Sequence, residues 1–433
     1  MKVRPDRPAP PSAELRSTRL DCGLELISER LPWVSSVALG LAFKIGSRDD
    51  PAGTAGLAHV FEHMVFKGTP GLSARDISVR SESLGAELNA FTDKELTVFY
   101  GRGPGDTRRE TTELLAEIVA RPAFAPAELA KEQAVIAEEI RSTEEDPDSK
   151  ALGLTLEALY PDGPMGWPVA GTLESVAGLD STLLGRLYPE RYHCGTGLAV
   201  VVGDVDHDEL AAALDARLGS RASTSPGPAR APAVAGPPAV LTGRRDELTQ
   251  VYACLAWPVF GYADERRYAL SLLNNALGGG VSSRLFQRLR EDEGLVYSIS
   301  SFTELYADTG LVAVYFVADR RRLERCLAVL DEELARFRRE LVSREEFDRA
   351  LNMTLSSVLL AQESPASRML RLARTRHLLG RVVGIDETVA AYRRLALDDV
   401  NRLVGAVFDD SRPRVGAVGP LATGELARLL ERV

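Results

Sequence analysis

Two histidines and a glutamate lie together near the start of the chain, in the sequence His59-Val-Phe-Glu62-His63. They sit in an apolar run, and Thr54 and Gly68 suit the two ends of one short helix. Residues four apart share a helix face, so His59 and His63 can direct their imidazoles at one ion. Imidazole nitrogens suit zinc, and a neighbouring carboxylate that does not bind the ion can accept a proton from water. The pattern predicts a zinc site with Glu62 as general base.

The alternative is a pair of core-facing histidines beside a chance glutamate. The chain has only five histidines, and two of them fall here beside a carboxylate, which favours the metal site. A third protein ligand is then needed. A helix predicted to begin near Pro126 offers Glu132 and Glu139 on one stripe, because seven residues make about two turns. Glu138 lies off that stripe, and a stripe of charges alone would usually be a solvated face.

Together these two helices resemble the inverzincin metallopeptidases, the family of pitrilysin, insulin-degrading enzyme and the mitochondrial processing peptidase. Their zinc motif has the order H-x-x-E-H, the reverse of the commoner H-E-x-x-H. The resemblance implies one zinc ion per chain on His59, His63 and Glu139, with Glu132 supporting the site from behind. Glu138 remains the alternative third ligand.

The resemblance also implies an arginine and a tyrosine, seven residues apart in a second domain, that hold the substrate carbonyl and stabilise the oxyanion. Arg290 and Tyr297 have that spacing. The alternative is an exposed helical arginine and a core tyrosine. The glycine run at 278–280 precedes a helix, but it lacks the lysine of a phosphate-binding loop, so that interpretation is weak.

Residues 85–100 have strand character. In the resembled family this segment is an exposed sheet edge that binds the substrate as an added strand, which suits a peptidase that holds extended chains. The resemblance thereby implies substrate contacts at Asn89, Ala90, Phe91 and Thr92. From the sequence alone, an ordinary buried strand is the default.

The chain has 433 residues, too many for one compact core. We expect a disordered arm at 1–13, a zinc-binding domain at 14–218, a Pro/Gly/Ser-rich linker at 219–246 and a second domain at 247–433. Both halves run strand, helix, strand, long helices and closing strand, which predicts a duplicated α+β fold. Each copy should be an antiparallel-dominated sheet flanked by helices. The second copy has no histidine pair at the matching place and should be inactive.

The net charge of −10 is uneven along the sequence. Residues 1–220 hold 35 acidic against 22 basic side chains, and residues 221–433 hold 27 against 30. An acidic metal-bearing half would favour basic peptides and disfavour nucleic acid, although a merely solubilising surface is equally compatible. We expect unfolded and possibly basic peptide substrates.

The compartment is predicted from what the sequence lacks. The first residues have no apolar segment typical of a secretory signal, and no apolar run approaches the length of a membrane span. The four cysteines are scattered without a C-x-x-C pair, so neither a disulfide framework nor a thiolate zinc site is indicated. We expect a cytoplasmic protein that does not associate with a membrane.

The function predicted from the resemblance is zinc-dependent hydrolysis of peptide bonds in unfolded peptides or precursor segments. The alternative is a non-catalytic peptide-binding or scaffold subunit, but such relatives lose ligands or the base, and here all are present. A homodimer is expected, or a heterodimer with a related subunit. One departure is His193-Cys-Gly-Thr-Gly197, where family members more often carry a proline and an asparagine.

Overall fold

The computed structural model describes residues 13–408 and 412–431. The predicted disordered arm lies outside this part of the chain, apart from its last residue. The chain folds into two compact units, each with its own β-sheet and helices. The α+β class with two sheet-and-helix domains is confirmed. None of the described helices combines the length and apolar content needed to cross a membrane.

The strands are β1 Glu14–Arg19, β2 Glu25–Arg30, β3 Ser36–Phe43, β4 Gly68–Thr69, β5 Leu72–Ser73, β6 Glu87–Thr92, β7 Thr97–Pro104, β8 Gly197–Gly203, β9 Val240–Arg244, β10 Gln250–Val259, β11 Val296–Leu305, β12 Gly310–Asp319 and β13 Arg414–Gly419. The helices are α1 Leu57–Val65, α2 Ala74–Ser83, α3 Arg108–Ala120, α4 Pro126–Glu145, α5 Pro147–Leu159, α6 Leu173–Ala177, α7 Ser181–Arg191, α8 His207–Leu218, α9 Arg267–Leu277, α10 Leu323–Glu340, α11 Arg344–Leu360, α12 Pro365–Leu379, α13 Ile385–Arg394, α14 Leu397–Val407 and α15 Glu425–Glu431.

The two sheets repeat one strand order. The first runs β1-β2-β8-β3-β7-β6 and the second β11-β12-β10-β13-β9. Apart from the extra strand β1, the order β2-β8-β3-β7-β6 matches β9-β13-β10-β12-β11. All neighbours are antiparallel except β2 with β8 and β9 with β13, which occupy matching places. This repetition is the structural form of the predicted duplication.

Residues 85–100, predicted as one strand, form the hairpin of β6 and β7. The side chain of Asp93 turns the chain by accepting hydrogen bonds from the backbone N–H groups of Glu95 (2.7 Å) and Leu96 (2.6 Å). Asp commonly stabilises turns in this way. The hairpin places β6 at the edge of the first sheet, bonded only to β7.

The compact units exchange segments between the two halves of the sequence. The first unit comprises residues 1–137, 169–230 and 361–381, and the second comprises 138–168, 231–360 and 382–433. Helix α12 from the second half packs on β3 and β8 of the first sheet, whereas α5 from the first half packs on β10 and β13 of the second. The units therefore differ from the sequential domains expected around the 219–246 linker, and β9 itself lies inside that predicted linker.

Close approach of the exchanged helices depends on a glycine in each sheet. A Cβ at Gly416 of β13 would lie 2.3 Å from the backbone nitrogen of Thr155 on α5. A Cβ at Gly40 of β3 would lie 2.5 Å from Met369 Sδ on α12. Both contacts are closer than side chains allow, so the absence of a Cβ lets each helix pack directly against its sheet.

The exchange also redistributes charge. The segment 138–168 takes a run of carboxylates into the second unit, and 361–381 brings five arginines into the first. The first unit then holds 27 Lys and Arg against 28 Asp and Glu, and the second holds 25 against 34. The predicted contrast between an acidic first half and a basic second half does not carry over to the folded units.

Candidate metal centre

Helix α1 begins and ends differently from the prediction. Its N-cap is Gly56, at φ +91°, rather than Thr54, whose hydroxyl donates instead to the carbonyl oxygen of Pro51 (2.8 Å). A side chain at Gly56 would also meet the carbonyl oxygen of Ala170, 2.5 Å from its Cβ, so this position needs glycine. Gly68 lies beyond the helix, in β4.

Asp50, which lies outside every motif considered in the sequence, caps this helix. Its carboxylate accepts hydrogen bonds from the backbone N–H groups of Gly56 (2.9 Å) and Ala58 (3.0 Å). Burial raises the pKa of Asp50 to about 7, against the lowering effect of those two bonds. An acidic residue shortly before a helix start is the signal that could have identified it.

The loop before α1 is bound to the turn of the β6–β7 hairpin. The N–H of Ser47 donates to Asp93 O (3.0 Å), and the N–H of Arg48 donates to Lys94 O (2.9 Å). The Arg48 guanidinium forms a buried ion pair with Glu95 at 2.5 Å. Helix α1 also packs against β6. The helix with the histidines and the edge strand are therefore held as one assembly.

The buried face of α1 is fixed by aromatic packing. Phe61 is fully buried, and its ring contacts those of Phe124, Tyr188 and Tyr192 with centroid separations of 5.2–5.7 Å. Such edge-on aromatic contacts have a defined geometry. Because Phe61 points into this cluster, His59, Glu62 and His63 are left on the less buried side of the helix.

His59 and His63 lie one turn apart, with ring centroids 4.6 Å from each other. Burial, with a smaller contribution from the neighbouring His63, lowers the pKa of His59 to about 4. His59 is therefore neutral near pH 7, which is the form that binds a metal.

Glu132 lies behind His63. Its Oε2 atom is 3.1 Å from His63 Nδ1, and its Oε1 atom is 2.8 Å from Lys67 Nζ. The carboxylate is largely buried. With Nδ1 of His63 bonded to Glu132, the Nε2 atom of the ring is the one available to an ion. This carboxylate–histidine arrangement is common behind zinc ligands.

Glu139, two turns after Glu132 on α4, completes the group. The ligand atoms of His59, His63 and Glu139 lie within 4.8 Å of one another. Two imidazole nitrogens and one carboxylate oxygen are a donor set that suits a catalytic zinc ion with an open position. Glu138, the alternative ligand, is exposed and ion-paired with Arg141 instead.

The predicted substrate residues Asn89, Ala90, Phe91 and Thr92 all lie on β6. The default expectation of a buried strand is wrong, because β6 is an edge strand and its side chains are exposed or partly exposed. The N–H of Ala90 donates to its neighbour, Asn89 Oδ1 (2.8 Å).

Arg290 and Tyr297 lie in irregular backbone of the second unit. Arg290 belongs to a π-helix, Phe286–Asp292, and its guanidinium lies 4.9 Å from the ring centre of Phe286. Tyr297 sits at a β-bulge near the start of β11 and is 74% exposed, which excludes the alternative of a core tyrosine. Single-turn π-helices and bulges often occur at functional sites, where they redirect side chains.

The loop with the unusual sequence, residues 193–197, is a tight turn closed by Thr196. Its hydroxyl donates to the carbonyl oxygens of Arg191 (2.6 Å) and His193 (3.0 Å). The N–H of Gly195 donates to His193 Nδ1 (3.1 Å). These bonds hold the loop without the proline and asparagine more frequent in the resembled family.

Two family models match the chain. The model described as insulinase (peptidase family M16) matches residues 25–173, and the model described as the peptidase M16 inactive domain matches residues 185–354. The first match covers the whole of α1 and α4, and the second covers the π-helix and β11.

Curated relatives extend over nearly the whole chain. An uncharacterized zinc protease of Mycobacterium leprae is 34% identical over 423 residues, which are 96% of this chain and 94% of the relative. An uncharacterized zinc protease of Bacillus subtilis is 32% identical, covering 90% of this chain and 94% of the relative.

Solved structures share the fold. A crystal structure titled peptidase M16 inactive domain from Pseudomonas fluorescens has a TM-score of 0.85 at 20% identity, covering 94% of this chain and 98% of that one. A putative M16-like peptidase from Alicyclobacillus acidocaldarius has a TM-score of 0.81 at 24% identity, covering 94% and 98%.

Proposed function

The chain belongs to the M16 peptidase family, and we propose on this premise that it is a zinc-dependent endopeptidase acting on unfolded peptides or precursor segments. The observation that carries the proposal is the convergence of His59, His63 and Glu139, whose ligand atoms lie within 4.8 Å of one another. A single zinc ion per chain would fit this set.

A zinc ion on these three side chains would supply Lewis-acid chemistry, polarising the scissile carbonyl and making an attacking water more acidic. Glu62, one turn after His59 on α1, accepts the proton that this water loses and can pass it to the leaving amine. Glu132 holds the His63 ring in the tautomer and orientation that expose Nε2.

Arg290 and Tyr297 are proposed to stabilise the negative charge that develops on the carbonyl oxygen. Both are hydrogen-bond donors, both are exposed, and each lies in backbone that departs from regular geometry. A donor aimed at an oxyanion contributes about 3 kcal/mol to the transition state.

The substrate is proposed to bind as an extended strand along β6. This edge is bonded to β7 on one side only, and α1 with its histidines packs against it. Main-chain hydrogen bonds bind peptides of many sequences, provided that they are unfolded. The Ala90 N–H, now bonded to Asn89 Oδ1, becomes a donor to the substrate when that side chain turns away.

The test compares zinc-loaded protein with its Glu62→Gln variant on an unbiased library of unfolded peptides, with cleavage followed by mass spectrometry. Both should hold the same amount of zinc, and the variant should lose about 100-fold or more of the cleavage rate. Cleavage by the variant at a near-normal rate would contradict the role of Glu62. Zinc-loaded wild-type protein that binds peptides but cleaves none would instead be a non-catalytic peptide-binding subunit.

A further inference from the structure

Two of the four scattered cysteines meet in the first unit. Cys22 lies in the turn between β1 and β2, and Cys194 lies in the loop that leads into β8. Both are reduced and buried, with 5% and 2% of their surface exposed. Their side chains interact with each other although 171 residues separate them in the chain.

The backbone holds these two turns together independently of the thiols. The N–H of Ser223 donates to Cys22 O (3.2 Å), and the N–H of Cys194 donates to Arg221 O (2.9 Å). Ser223 O lies 2.5 Å from the place of a Cβ at Gly23 and 3.0 Å from that at Gly195. Both cysteine-bearing turns therefore pack on one short piece of chain, which brings Cys22 and Cys194 close together.

The two thiols have different chemical surroundings. The hydrogen bond from Cys194 lowers the pKa of Cys22, because it stabilises the thiolate, and the same bond with burial raises the pKa of Cys194. Leu218 O, 3.6 Å from Cys194 Sγ, is an alternative acceptor for the single hydrogen of that thiol. Burial raises the pKa values of Cys254 and Cys326 to about 12. Cys22 is thus the thiol suited to attack an oxidant, with Cys194 beside it to resolve the product.

We propose that Cys22 and Cys194 are an oxidisable dithiol that closes to a reversible disulfide when a small peroxide reaches the first unit. The Cys22 thiolate attacks one peroxide oxygen, the O–O bond breaks, and the departing hydroxide takes up a proton to become water. The Cys194 sulfur, having lost its proton, attacks the resulting sulfenic acid. The S–O bond breaks, a second water leaves, and the S–S bond forms. Two thiols and one hydrogen peroxide thus give one disulfide and two waters.

The disulfide would raise the unfolding temperature of the part of the chain that holds the candidate metal centre. His59, His63 and Glu139 all lie between residues 22 and 194, so the bond encloses them in one covalent loop. Linking distant residues stabilises the fold chiefly by restricting the unfolded chain. The oxidised protein should therefore resist unfolding at a higher temperature than the reduced protein, and a thiol reductant should reverse the effect.

The experiment treats zinc-loaded protein with graded hydrogen peroxide, blocks the remaining thiols and digests it with trypsin without reductant. We expect a single cross-linked pair, peptide 20–30 joined to peptide 192–217, lighter by two hydrogen atoms than the sum of its parts. The free thiols should fall from four to two, leaving Cys254 and Cys326 as internal controls. The melting temperature should rise by several degrees and fall again with dithiothreitol.

Three results would overturn the proposal. One is a Cys22 that proceeds to sulfinic acid without cross-linking, and another is pairing with Cys254 or Cys326. The third is retention of all four thiols at peroxide levels that oxidise the urea-unfolded chain. Because the main measurement uses the wild-type chain, it does not depend on a variant folding. A Cys194→Ser variant, if folded, should convert the cross-link into a sulfenic acid on Cys22 that a dimedone probe traps. Peptide cleavage is not part of this readout, so the result is independent of the proposed peptidase activity.

Discussion

The Nδ1 atom of His63 lies 3.1 Å from Oε2 of Glu132, and the carboxylate of Glu132 has its other oxygen 2.8 Å from Lys67 Nζ. Glu132 thereby orients the His63 ring, and the Lys67 ammonium group holds the Glu132 side chain in place. The ligand and its support sit on different helices, α1 and α4, so the bond also aligns the two helices that carry the candidate metal centre.

Removing this support should weaken zinc binding without abolishing it. Glu132→Ala leaves all three ligands in place but frees the His63 ring to rotate. We expect the zinc dissociation constant to rise about 10- to 100-fold, measured by competition with a chelator. Lys67→Met is the matched control, because it keeps the bond from Glu132 to His63, and its zinc affinity should change far less. Equal losses in the two variants would contradict the positioning role of Glu132.

The two candidates for the third zinc ligand, Glu138 and Glu139, are adjacent on α4, so single substitutions distinguish between them. Glu139→Ala should leave the purified protein nearly free of zinc by elemental analysis, because two histidines alone bind zinc weakly. Glu138→Ala should retain zinc, since this side chain is exposed and paired with Arg141. If only Glu138→Ala emptied the site, the assignment of the ligand would be off by one residue.

Ala90→Pro tests strand addition at β6. Proline removes the N–H that donates to Asn89 Oδ1, a position tolerated on an edge strand because no bond to β7 is lost. We expect KM for peptides to rise about 10-fold with zinc content unchanged, because the loss of one main-chain hydrogen bond costs about 1.4 kcal/mol of binding free energy. Asn89→Ala keeps the N–H and should leave KM the same or lower. A KM unaffected by the proline would place the substrate elsewhere.

Acid should destabilise the first unit partly through His377 on α12. Burial lowers the pKa of His377 to about 4, although its Nε2 atom contacts Ala42 O at 3.2 Å. Below its unfolded pKa of about 6.5 the unfolded chain binds a proton that the folded ring does not, so stability is lost as pH falls from about 6.5 towards 4. Because the ring is partly exposed, we expect His377 to lower the free energy of unfolding by only about 1–2 kcal/mol between pH 7 and pH 5.

The His377→Gln variant isolates this effect, because an amide can donate to Ala42 O but does not titrate. Urea unfolding at both pH values should show a smaller pH dependence for the variant than for the wild type. The other histidines contribute equally to both proteins and cancel. An identical pH dependence would mean that His377 is protonated as readily in the fold as in the unfolded chain.

Co-expression of two differently inactivated chains tests whether the two subunits of a dimer share active sites. If Arg290 and Tyr297 serve the zinc of a partner subunit, co-expressed Glu62→Gln and Arg290→Ala chains form mixed dimers in which one site carries both lesions and the other none. Random pairing should then restore about a quarter of the wild-type rate, because half the dimers have one intact site. If the residues act within their own chain, mixing restores nothing.

Much of this architecture could be predicted from local signals. The histidine pair, the glutamates on α4 and the repeated order of elements are each encoded within short stretches, so periodicity and turn residues were enough to place them. The edge position of β6 follows only from the family resemblance, because nothing in Asn89 to Thr92 distinguishes an edge strand from an interior one.

The features that the sequence does not predict depend on contacts between residues far apart in the chain. Asp50 caps α1 from a loop that precedes the helix by several residues, and its burial cannot be seen in the sequence. Cys22 and Cys194 meet only because β2 and β8 are neighbours in the sheet. No local sequence signal indicates the exchange of α5 and α12, because each helix has ordinary caps and composition. Tertiary packing alone decides which sheet each helix covers.

The exchange of α5 and α12 sets an order of events during synthesis. The first sheet cannot be covered by α12 until residue 379 has left the ribosome, long after the histidines of α1 have emerged. Until then β3 and β8, which are buried in the finished protein at every residue but the first of each strand, expose an apolar face. The amino-terminal half made alone should therefore aggregate or bind chaperones, and it should fold when the carboxyl-terminal half is supplied as a separate polypeptide.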